Sequence, residues 1–183
     1  MAGELHPLSA QTRLLGAFLA LTVVTAQALW MGPAASVLGV GLVISYIVWI
    51  GTRWRDEVAA VLPMYLLAIA VQCAHFTEEY LTRFQRQFPG LVGYEWSDAR
   101  FVSFNMAWLA AFVLAALGVY QRVPLAYLGV LFLAVGGGIL NGAGHLLLSL
   151  RQGSYFPGTA TAPLCLLAGF GLLSRLFRAK RLT

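Results

Sequence analysis

Long apolar runs with no alternation of polar and apolar residues restrict this chain more than any other feature. Six are present, at residues 14–31, 34–50, 58–79, 101–120, 124–149 and 162–177. Crossing a bilayer core takes about 20 helical residues, with a few residues of latitude. In lipid every backbone N–H and C=O must find a partner within the protein, which leaves only helices and closed barrels. Barrel strands alternate, and these runs do not. The expected fold is therefore an all-α polytopic transmembrane bundle of about six spans, a single integral membrane domain over 1–183. Charge content agrees: only 10% of residues are charged, against about 25% in soluble domains. Gly32 and Pro33 break the first run from the second. Gly51 closes the second, and Asp56 and Glu57 suit the positive N-terminus of the third helix.

The net charge of +5 does not indicate nucleic-acid binding. The basic residues form no stripe with interleaved aromatics; they lie between apolar runs and at the C-terminus. With six spans, one side of the membrane holds eight of them: Arg13, Arg53, Arg55, Arg122, Arg175, Arg178, Lys180 and Arg181. The other side holds four, Arg83, Arg86, Arg100 and Arg151. The positive-inside rule then places the protein in the cytoplasmic (inner) membrane with both termini cytoplasmic. Arg13, the apolar stretch after it and the small residues Ala26 and Ala28 are also compatible with a cleaved signal peptide. An ordinary first span is preferred, because apolar sequence continues past that point. The longest connection, residues 82–98, carries Phe84, Phe88, Tyr94 and Trp96. Such aromatics suit a loop lying on lipid headgroups, or a lid over a site beneath it.

The chemistry concentrates at the end of the third run. In a chain with seven acids, Glu78 and Glu79 stand in tandem, three and four residues after His75. At about 100° per residue, His75 is about 60° from Glu78 and about 40° from Glu79 around the helix. Gln72 shares that arc. The fifth run supplies Asn141 and His145, spaced four apart on one face. Ala134, Gly138 and Gly142 form a small-residue row that lets another helix approach. Both runs are odd-numbered and so point the same way. His75 and Asn141 each lie 17 residues from the start of their run, about 26 Å along a helix. His145, about 6 Å further, reaches the level of Glu78 and Glu79, near the outer face. Asn105, early in the descending fourth run, arrives at a similar level.

"HFTEE" at 75–79, "NGAGH" at 141–145 and "PG" at 157–158 resemble, in the same order, the motifs of the HXXEE-domain membrane proteins. The pattern runs over most of the chain. The resemblance implies enzymatic activity carried by His75, Glu78, Glu79, Asn141, His145, Pro157 and Gly158, and it brings no particular substrate with it.

The residues themselves leave four readings. In the first, His75, Glu78, Glu79 and His145 hold a divalent metal, zinc or iron, with an open position that activates water or polarises a lipid carbonyl or phosphate. The ferritin-like di-iron pattern needs two E-x-x-H motifs, which are missing. The second is metal-free acid–base chemistry, an isomerase or cyclase using the same His and Glu side chains. The third is a proton- or cation-binding transporter or sensor, and the fourth a structural bundle glued by Asn105 and Asn141. The first is preferred, as a lipid-modifying or hydrolytic enzyme whose hydrophobic substrate enters sideways from the membrane lipids. His75, Glu79 and His145 are then ligands or acid–base groups and Glu78 a further ligand or general base. Asn141 is the orienting donor, and Gln72, Asn105, Pro157 and Gly158 support the site. A shared metal requires the His75 and His145 rings to lie within about 8 Å.

Plainer readings stand beside these. Glu78 and Glu79 could simply meet water at a helix end, paired with Arg83 or Arg86. Pro157 and Gly158 could merely turn the chain, Pro63 could kink the third helix, and His6 could be solvated. Cys73 and Cys165 are expected to be buried as small hydrophobes.

Overall fold

The computed structural model describes residues 8–51 and 58–178, and every regular element among them is helical. Expectations placed on His6, Arg53, Arg55, Asp56, Glu57, Lys180 and Arg181 fall outside those residues. In chain order the helices are α1 (Ala10–Met31), α2 (Ser36–Gly51), α3 (Val58–Leu81), α4 (Phe84–Gly90), α5 (Asp98–Tyr120), α6 (Ala126–Gln152) and α7 (Ala162–Arg178). Five segments, α1, α2 together with the 3-10 turn before it (Pro33–Gly51), α3, α5 and α6, are long and apolar enough to cross a membrane. The sixth expected span is a shorter apolar helix, Ala162–Phe177. Leu14, Leu29, Leu114 and Leu167 are exposed on the outside of the bundle, an exterior suited to lipid rather than water.

Capping chemistry sets the helix starts, and hydropathy marks only the apolar part. Helix α1 begins four residues before the apolar run because the Ser9 hydroxyl accepts the Thr12 N–H at 3.1 Å. Helix α5 likewise begins at Asp98, since Ser97 accepts the Arg100 N–H and Asp98 lies in the first turn. Helix α6 departs from the expected regular spiral. Its middle, Leu133–Leu140, winds as a π-helix through the glycines at 136, 137 and 138. An i→i+5 turn takes more residues than an α-turn, so the uniform 3.6-residue count does not hold through this stretch.

The core forms where α7 packs against α3 and against the π segment of α6. Close approach there needs glycine. A Cβ on Gly138 would stand 2.7 Å from the Gly169 Cα, and one on Gly142 would stand 2.8 Å from the Ala162 carbonyl oxygen. The small-residue row on α6 therefore seats α7.

The connection at 82–98 does not lie out on the surface as a whole. It contains α4, and Phe84 and Trp96 are buried against Met31, Phe101, Phe104 and Phe156. Burial wins because these rings share one apolar cluster and the Trp96 indole N–H finds a partner, the Met31 carbonyl at 2.7 Å. Tyr94, by contrast, is exposed. Its ring covers Gly32, where φ is 71° and an added Cβ would stand 2.4 Å from the ring. Cys165 is buried, but Cys73 is exposed, on the outward side of α3.

Candidate functional site

Three helices and one turn assemble the polar cluster. Helix α3 contributes His75, Glu78 and Glu79, α6 contributes Asn141 and His145, and the 153–161 turn leads into α7. His75 is fully buried, and Glu79 and His145 are each 3% exposed. The two imidazole rings are 4.7 Å apart between centroids and nearly perpendicular, at 83°. That is well inside the limit for sharing one ion.

The hydrogen bonds determine which ring nitrogens are available. His145 Nδ1 lies 2.6 Å from the Pro157 carbonyl oxygen, which can only accept, so Nδ1 carries the proton. In the neutral tautomer His145 Nε2 is then a lone pair, 3.1 Å from Glu79 Oε1. His75 Nδ1 lies 2.7 Å from the Thr161 hydroxyl. That hydroxyl donates its own proton to the Glu78 carboxylate in a short contact, so His75 Nδ1 must be the donor to Thr161. His75 Nε2 is thereby also a lone pair, accepting from the Asn141 amide at 2.8 Å and standing 3.5 Å from Glu79 Oε1. Two imidazole lone pairs and a carboxylate oxygen thus converge, and all their ligand atoms fall within 4.8 Å of one another. Acceptors at such distances need a cation between them, a proton or a metal. Zinc bonds of about 2.0–2.1 Å place tetrahedral ligand atoms about 3.3–3.4 Å apart, which the two measured separations bracket.

Pro157 and Gly158 are part of this geometry and do more than turn the chain. Gly158 sits at φ 88°, and a Cβ there would be 2.5 Å from both Cε1 and Nδ1 of His145 and 3.0 Å from His75 Cε1. Only a residue without a side chain lets the turn close over both rings.

A model of a protein family, described as protein of unknown function with HXXEE motif, matches residues 66–170, more than half of the chain. The chain belongs to the HXXEE family. No curated protein and no solved structure matches it.

The two glutamates of the HXXEE motif part company in space. Glu79 faces the histidines. Glu78 turns to the start of α7, accepting the N–H groups of Ala160 at 2.8 Å and Thr161 at 2.7 Å. It also accepts the hydroxyls of Tyr155 and Thr161 in short contacts. A carboxylate at a helix N-terminus complements the helix dipole. Glu78 is therefore placed outside the group of three. Burial, and then the bond to Glu78, holds the Tyr155 phenol above its ordinary range, so it remains a neutral donor. Among the described residues neither glutamate pairs with Arg83 or Arg86; Arg86 bonds Asp98 at 3.2 Å instead. Thr161 and Tyr155 escape a search for metal-ligand or acid–base residue types. A threonine just before Ala162 and Pro163 is, however, a helix-start signal, and it marks the N-terminus that Glu78 serves.

Beside this cluster the HXXEE chain forms a half-open cavity of about 330 Å³. Glu79, Asn141 and His145 reach it from one side and Gln72 and Asn105 also line it. The remaining wall is chiefly aromatic, including Phe84, Phe88, Trp96, Phe104, Trp108 and Phe132. Phe84 also covers His145, with the rings 5.1 Å apart. The segment at 82–98 thus supplies part of the roof of the cavity.

Proposed function

We propose that this protein is an intramembrane enzyme whose His75, Glu79 and His145 hold a divalent metal, zinc or iron, next to a pocket for a lipid or other hydrophobic substrate. The observation that carries the reading is the meeting of two imidazole Nε2 atoms and a carboxylate oxygen at 3.1 and 3.5 Å. Three protein ligands with an open position is the pattern of catalytic rather than structural zinc. When bound, the metal would supply Lewis-acid activation of water or of a substrate carbonyl or phosphate. The chain's own groups do the positioning. Pro157 and Thr161 hold the imidazole tautomers, as second-sphere partners of metal-binding histidines do. Asn141, which donates to His75 Nε2 at 2.8 Å, would have to give up that bond for the nitrogen to hold a metal, and its amide would then be a donor at the edge of the cavity. Glu78 anchors the turn that carries Pro157 and Thr161. The apolar exterior and the basic-residue bias support a cytoplasmic-membrane location, both termini cytoplasmic and the site toward the outer face.

Elemental analysis of purified protein tests this. Wild type is expected to hold close to one zinc or iron per chain, and the His75→Ala, His145→Ala double variant close to none. Equal, near-zero content in both would retire the metal. A specific observation then favours metal-free acid–base catalysis: Asn141 already occupies His75 Nε2, and the 3.1 Å between His145 Nε2 and Glu79 Oε1 suits a single shared proton. A proton- or cation-binding transporter or sensor would use the same three groups, and it requires a polar path continuing from them across the bundle.

A further inference from the structure

Asn105 is 5% exposed and lines the same cavity, yet its Nδ2 has no hydrogen-bond partner among the described residues. It stands on the α5 face that also presents Phe101, Phe104 and Trp108. A primary amide buried against aromatic rings with a donor unmade is costly, and an apolar side chain would pack there without that penalty. The Nδ2 atom is itself sealed off, so the donor finds a use when the amide turns to meet an acceptor bound in the cavity. Charge narrows what that acceptor is. Among the described residues no Lys or Arg lines the cavity, while the Glu79 carboxylate does, so the side chains of the wall themselves offer an anionic headgroup no counter-charge. A volume of about 330 Å³ lies at the small end of ligand sites, which span about 300–1,000 Å³.

We propose that the cavity takes a neutral, largely apolar molecule bearing one carbonyl-class acceptor, and that the Asn105 amide recognises that acceptor. Asn105 is in this sense a specificity-determining residue. The inference rests on the reading above only in identifying the bound molecule as the substrate; recognition by Asn105 needs no metal.

The probes are 2-acetylnaphthalene and 2-isopropenylnaphthalene, which share shape and ring system and differ in C=O against C=CH₂. Binding is measured by equilibrium dialysis of the full-length protein in neutral-lipid nanodiscs, with empty nanodiscs as the blank. Wild type is expected to bind the ketone at least about tenfold tighter than the alkene. Asn105→Leu is expected to bring the ketone down to the level of the alkene while the alkene stays within about twofold; Asn105→Ala serves if the leucine variant does not fold. Equal wild-type affinities, no binding of the ketone, or a preference that survives both substitutions overturns the proposal. The same samples are assayed for zinc and iron. A protein that holds no metal but prefers the ketone retires the metal reading and keeps the Asn105 assignment. A metal-loaded protein that treats both probes alike does the reverse.

Discussion

At the scale of single residues, the tandem acids are the instructive case. Neighbouring positions on a helix are about 100° apart, so Glu78 and Glu79 cannot serve the same partner equally well. Glu79 lies on the histidine side and Glu78 on the α7 side. Their glutamine variants should therefore fail differently. Glu79→Gln removes a ligand of the proposed metal, and metal affinity should fall at least about 100-fold, the upper end of the loss seen for outer partners alone, while the protein stays folded. Glu78→Gln should keep metal stoichiometry near that of wild type and lose about 1–3 kcal/mol of stability with its charged hydrogen bonds. Metal analysis and thermal unfolding in detergent read both. Metal loss in Glu78→Gln without loss of stability would return Glu78 to the ligand set. The spacing in the sequence puts His75, Glu78 and Glu79 on one arc, but it cannot separate two acids whose difference lies in what α7 brings to each.

At the scale of elements, the glycines of α6 divide into those that seat a neighbour and those that do not. A Cβ on Gly138 meets the Gly169 backbone at 2.7 Å, whereas one on Gly144 meets nothing within 4 Å. Gly138→Ala must push α6 and α7 apart, at a cost of about 1–3 kcal/mol. Gly144→Ala should be neutral or stabilising by up to about 1 kcal/mol, through helix propensity. Melting temperatures that fall equally in the two variants would contradict this account of the packing. The row of small residues was legible because its four-residue spacing is local. The π-helical winding was not, since three consecutive glycines permit several backbones and the neighbours select one. Asn141 and His145 still meet α3, because both lie in the regular helix after the π segment and only their mutual spacing matters for the shared face.

At the scale of the whole molecule, the prediction concerns orientation. Tyr94 is exposed, on the connection that helps roof the cavity. In a Cys73→Ala background, Tyr94→Cys should react with a membrane-impermeant maleimide in intact cells, to the same extent as after lysis. Labelling only after lysis would place the site on the cytoplasmic side and reverse the assignment made from the twelve basic residues. Helical class, apolar exterior and the His, Glu and Asn of the cluster, though not Tyr155 and Thr161, were readable from the chain alone, because helix periodicity and backbone satisfaction in lipid are local constraints. Which imidazole nitrogen faces the cluster, which glutamate faces the histidines and that Asn105 lines the cavity were decided only by tertiary structure. Each depends on a group far away in sequence: the Pro157 carbonyl, the Thr161 hydroxyl, or the aromatic wall shared by α3, α4, α5 and α6. Hydrogen-bond partners and cavity walls are set by packing between helices, and no spacing within one helix encodes them.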